Sequence, residues 1–74
     1  MSKTVLITGA SSGIGQATAE RLAQDGWRVF GTSRKAAFGE WRGPVTMLPM
    51  DVDDAESVQE GVEWVLDQAS RLDA

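Results

Sequence analysis

The chain has 74 residues, a mass of 8.0 kDa and a net charge of −4, with no cysteine, histidine or tyrosine. A folded monomer of this mass exposes roughly 4,400 Å² against roughly 11,600 Å² when extended, so about 60% of the surface is buried and the core is thin. Disulfides, thiolate metal sites and histidine general bases are excluded, and asparagine is also missing from the sequence. The acidic balance argues against a nucleic-acid module, which needs a basic face for phosphates. No apolar run approaches the roughly 20 residues of a membrane span, and Val5-Leu6-Ile7 is too short for a signal-peptide core. The expectation is a cytoplasmic protein that engages neither nucleic acid nor membrane.

The N-terminal segment Thr4-Val5-Leu6-Ile7-Thr8 is β-branched and apolar, and Gly9 stops it. This predicts a strand buried on both faces, as in a parallel sheet. From Gly13 to Asp25 the residues Ile14, Ala17, Leu22 and Ala23, with Thr18, fall at helical spacing, and Gly26 closes the run. Trp27 to Ser33 predicts a second strand. Lys35 to Pro44 contains Gly39, Gly43 and Pro44 and is expected to be an irregular connection with at most one helical turn. Val45 to Met50 predicts a third strand, weakened by Pro49. Asp53-Asp54-Ala55-Glu56 has the form of a capping box with Asp53 as N-cap. The following helix carries Val58, Val62, Val65, Leu66, Ala69 and Leu72 on one stripe. Trp27, Trp41 and Trp64 are expected to close the edges of the core.

Alternating strands and helices imply α/β architecture with a parallel sheet and right-handed crossovers. The order is β-α-β-loop-β-α, an incomplete sheet because no strand is expected after the last helix.

Between the first strand and the first helix stands Thr8-Gly9-Ala10-Ser11-Ser12-Gly13-Ile14-Gly15. Gly9 allows a tight turn, Gly13 admits a ligand against the backbone, and Gly15 permits close helix packing. The free N–H groups and the positive end of the helix dipole then suit a pyrophosphate, and Ser11 and Ser12 add hydroxyl donors. A phosphate loop of the Walker type is excluded because no Lys-Ser or Lys-Thr follows. The bland alternative is a glycine-rich turn that binds nothing.

The octapeptide T-G-A-S-S-G-I-G from Thr8 to Gly15 resembles the T-G-x-x-x-G-x-G cofactor loop of the short-chain dehydrogenase/reductase (SDR) family. The resemblance extends through Gly15–Ala23 (first helix), Gly26–Val29 (start of the second strand), Asp51-Val52 (after the third strand) and Arg71–Ala74 (approach to a fourth strand). It implies that Asp51 meets the adenine amino group and that Val52 supplies a backbone contact; the alternative is a turn or capping acid.

In Rossmann folds an acid at the end of strand two selects NAD, whereas an arginine there accommodates the 2′-phosphate of NADP. Here the strand ends Gly31-Thr32-Ser33-Arg34-Lys35, with no carboxylate before Glu40. Ser33 can donate a hydrogen bond, Arg34 can fork onto a phosphate and Lys35 adds charge, which predicts NADP. The alternative is a pair of solvated surface charges.

The resembled family uses a Tyr-x-x-x-Lys pair, helped by Ser and Asn, and that motif is absent. No residue here is expected to be catalytic or to bind metal, and the 74 residues alone are expected to be inactive. The resemblance implies an incomplete, doubly wound Rossmann sheet with strand order 3-2-1, residues 1–74 being the N-terminal part of an NAD(P)-binding domain. The full-length form would exchange hydride between NADP(H) and an alcohol or carbonyl. The other readings are a non-catalytic nucleotide-binding module and an inactive fragment. No oligomer is implied.

Overall fold

The computed structural model describes residues 3–10 and 13–74. In chain order the elements are β1 (Thr4–Ile7), α1 (Gly13–Gln24), β2 (Arg28–Ser33), β3 (Glu40–Arg42), β4 (Val45–Pro49) and α2 (Ala55–Ala69). They form an α/β fold of the Rossmann type. β1, β2 and β4 are parallel, with Thr4 opposite Arg28 and Phe30 opposite Thr46.

The expected order 3-2-1 holds for these parallel strands but is incomplete as a description of the sheet. The full order is β1-β2-β4-β3, and β3 pairs antiparallel with β4, Trp41 standing opposite Thr46. The segment expected to be an irregular connection supplies this strand. Gly43-Pro44 turns the chain sharply enough for β3 to fold back on β4 as a tight hairpin, and that pairing gives Glu40-Trp41-Arg42 a strand conformation although the three residues have no apolar alternation.

Alternation along the strands sends side chains into two apolar layers. On one face Val5, Val29, Val45 and Met47 pack with Ala19 of α1 and with Leu22, Ala23 and Trp27. On the other, Phe30, Leu48 and Met50 pack with Val65 of α2 and with Leu6, Val58 and Trp64. Phe30 and Trp64 meet edge to face, ring centroids 5.9 Å apart. Gly61 brings α2 close to β4: a Cβ there would stand 2.3 Å from Met50 Cε.

Four local expectations need correction. Ile14 is 87% exposed; the buried residue of α1 is Ala19, because the helix meets the sheet through its small side chains. Trp41 is 79% exposed, since β3 is the outermost strand and nothing described covers its ring, and Leu66 of α2 is also exposed. The N-cap of α2 is Asp54, whose backbone is extended and whose carboxylate accepts from the Glu56 and Ser57 N–H groups.

At the far edge, β1 is flanked by the last residues of the chain. Leu6 N–H donates to Ala74 O, Asp73 N–H donates to Thr4 O, and the Asp73 carboxylate accepts from Thr4 N–H at 2.8 Å. Among the described residues, no helix is long and apolar enough to cross a membrane.

Candidate functional site

The carboxyl ends of β1, β2 and β4 lie side by side, and the segments leaving them border one groove. It has a volume of about 430 Å³ and is lined by Gly9, Thr32, Ser33, Arg34, Lys35, Met50 and Val52. A smaller hollow of about 280 Å³ adjoins it through Arg34 and Met50 and reaches Asp51 and Ser57.

The glycine loop forms one wall. Gly9 and Gly13 have φ of +69° and +60°, the left-handed region that side chains with a Cβ avoid. A Cβ on either would meet nothing within 4 Å, so open space lies before them. Gly15 answers a different demand: its Cβ would stand 2.3 Å from Gly9 O, so α1 can begin there only without a side chain. Gly13, Ile14 and Gly15 make the first turn of α1, with no acidic residue in it to oppose an anion. Ser11 and Ser12, expected to add hydroxyls, lie outside the described residues.

Thr32 ties this loop to β2. It is buried, its hydroxyl oxygen accepts from Gly9 N–H at 3.3 Å, and its carbonyl accepts from Ala10 N–H at 3.2 Å. Gly31 is equally constrained, because a Cβ there would meet Ala10 Cβ at 2.6 Å. Backbone and hydroxyl contacts of two successive strand residues thus set the height of the loop over the sheet.

The opposite wall carries the charges. Ser33 Oγ accepts from Lys35 N–H at 3.3 Å, which leaves the hydroxyl proton for an outside acceptor. Arg34 Nη2 lies 3.4 Å from Asp51 Oδ1 and 3.5 Å from Asp53 Oδ2. Asp51 is itself braced: its N–H donates to Ser57 Oγ at 2.8 Å, and its Oδ1 accepts from Asp53 N–H at 3.0 Å. Its Oδ2 has no partner among the described residues. Val52 is 57% exposed at the groove.

The structure therefore brings Gly9, Ser33, Arg34, Lys35, Asp51 and Val52 to one groove, with Gly13, Ile14 and Gly15 adjoining it through Gly9. Three supporting residues escaped the sequence. Thr32 is one of several β-branched residues in strand positions, and its bond spans 23 positions. Ser57 is an unremarkable first-turn serine. Asp53 was expected to cap the helix.

Comparison with known proteins places this geometry. The family described as short chain dehydrogenase matches residues 3–74. The chain is 46% identical over 69 residues to a 3-ketodihydrosphingosine reductase of Bacteroides thetaiotaomicron, covering 93% of this chain and 25% of that protein. It superposes with a TM-score of 0.83 on a short-chain dehydrogenase from Streptomyces avermitilis, at 32% identity, covering 97% of this chain and 28% of that one. The TM-score is also 0.83 for a 3-ketoacyl-(acyl-carrier-protein) reductase from Brucella melitensis complexed with NADH, at 32% identity over 96% of this chain and 31% of that one. The chain spans a quarter or less of the length of the first curated relatives it matches. The family match runs through residues 3–74, nearly the whole chain, and the chain belongs to the short-chain dehydrogenase family.

Proposed function

We propose that residues 1–74 form the adenosine-binding part of a nicotinamide-dinucleotide site, and that its dinucleotide is NADP. They would act within a longer oxidoreductase that interconverts an alcohol and a carbonyl. The observation that carries the cofactor choice is the end of β2. Ser33, Arg34 and Lys35 line the groove there, and none of the residues from β2 up to Gly39 is an acid. A 2′-phosphate there meets a hydroxyl donor and two cations, whereas an NAD-selective site presents an acid. The NADH-bound relative supports the dinucleotide class.

The residues fit the group. The open space before Gly9 and Gly13 and the N-terminal turn of α1, with Ile14 and Gly15, suit a pyrophosphate pressed against backbone, and by sequence Ser11 and Ser12 bring hydroxyl donors. Asp51 Oδ2 is available for an adenine amino group, and Val52 offers backbone beside it. Bound NADPH would supply the hydride to a carbonyl, or NADP+ accept it from an alcohol; the residues here hold and orient the adenosine half. None of them is assigned to proton transfer, and a small-molecule substrate would meet other parts of the longer protein.

Arg34→Ala tests the reading. Titrated with both dinucleotides, the chain should prefer NADP, and the variant should lose about tenfold or more in NADP affinity while NAD changes less than twofold. Equal affinity of the unaltered chain for NAD and NADP would sink the cofactor assignment.

A further inference from the structure

Asp53 stands two residues beyond the acid assigned to adenine and has no capping duty, since Asp54 holds the first turn of α2. Its N–H braces Asp51, but its carboxylate does something else. Oδ2 lies 3.5 Å from Arg34 Nη2, and Asp51 Oδ1 lies 3.4 Å from the same nitrogen. One guanidinium nitrogen is thus shared between two carboxylates at the mouth of the groove. Asp53 is 84% exposed at its side chain, and its carboxylate has no other partner among the described residues.

We propose that Asp53 is a specificity-determining residue: its carboxylate occupies Arg34 and weakens the groove's hold on a 2′-phosphate, narrowing the preference for 2′-phosphorylated over 2′-hydroxyl adenosine nucleotides. The proposal rests on the groove being the adenosine site. A phosphate monoester carries more than one negative charge at neutral pH, so it must take Arg34 from Asp53 and sit within a few ångströms of that carboxylate. Asp51 is held from two sides by Ser57 and the Asp53 backbone, and both bonds survive a change in the Asp53 side chain. The carboxylate of Asp53 is therefore separable from the adenine contact. A nucleotide with a 2′-hydroxyl makes no demand on Arg34 and is indifferent to it.

The test uses 2′,5′-ADP and 5′-AMP, which carry only the adenosine half, titrated calorimetrically at low salt against the chain, Asp53→Asn and Asp67→Asn. Asp67 lies on α2, outside both hollows of the groove, and its variant makes the same change in net charge. Asp53→Asn should tighten 2′,5′-ADP about three- to fivefold, with 5′-AMP within twofold, and the gain should fade at high salt. Asp67→Asn should change neither. The proposal is overturned if Asp53→Asn leaves 2′,5′-ADP within twofold or weakens it, or if Asp67→Asn reproduces the gain. Failure of every form to bind either nucleotide would remove the groove reading and this one together. Binding of both with no effect of Asp53 removes this one alone.

Discussion

One residue of β2, Thr32, ties the sheet to the glycine loop. Thr32 is buried, and its Oγ1 takes the Gly9 N–H while its carbonyl takes that of Ala10. Thr32→Val keeps the volume and β-branching but removes the acceptor. It should cost about 1 kcal/mol in chemical denaturation and loosen the loop, seen as faster amide exchange at Gly9 and Ala10. Thr32→Ser should restore most of that protection. At this scale the glycines were readable from the sequence because each answers a local demand. Thr32 was not, because what distinguishes it from the other β-branched strand residues is a partner 23 positions away. The same holds for Arg34: its charge was visible in the chain, but its sharing between Asp51 and Asp53 depends on β2 and β4 lying side by side.

At the scale of elements, α2 illustrates how ends are decided. Asp54 supplies the N-cap, one residue later than the spacing of the acidic run suggested: its backbone is extended and its carboxylate accepts from the Glu56 and Ser57 N–H groups. Two adjacent positions, Asp53 and Asp54, carry acids, and the sequence cannot choose between them without the backbone angles. The other end is held by Ser70 at φ 66°, with its N–H on Leu66 O. A left-handed conformation costs a residue with a Cβ about 1 kcal/mol or more relative to glycine. Ser70→Gly should therefore raise stability by up to about 1 kcal/mol, measured as a higher midpoint of thermal unfolding. A decrease would mean that the serine side chain contributes more than its strain. β3 shows the opposite limit of local patterning. Glu40-Trp41-Arg42 has neither the length nor the apolar alternation of a strand, and its conformation comes from pairing with β4.

At the scale of the molecule, the sheet has two edges of different character. One is β3, three residues with a charged pair, Glu40 and Arg42, linked at 3.3 Å; short charged edges resist further pairing. The other is β1, whose starting residues are pinned by Asp73 and Ala74. Hydrogen bonding from Thr4 N–H and then the Arg71 guanidinium hold the Asp73 carboxyl below its usual value. A group with a depressed folded pKa contributes stability at pH values above its unfolded pKa, and loses it as pH falls through the folded pKa. Asp73→Asn should therefore lower the unfolding midpoint near neutral pH and flatten its fall below about pH 4, with the two forms converging in acid. An unchanged acid limb would show that the tether contributes nothing to folding.

The sequence by itself determined the alternation of strands and helices, the glycine loop and the family likeness carried on it. These rest on short-range periodicities of two and about 3.6 residues and on the steric freedom of glycine, all properties of contiguous chain. Tertiary structure alone decided that the connection after β2 becomes an edge strand, that Ala19 rather than Ile14 faces the core, and that Arg34 is divided between two acids. The last two depend on segments distant in sequence meeting in space, and the first on a tight hairpin with β4, which is itself placed by pairing with the distant β2. Pairing partners, helix rotation against a sheet and ion pairs are set by what the neighbouring element presents, which no local pattern contains.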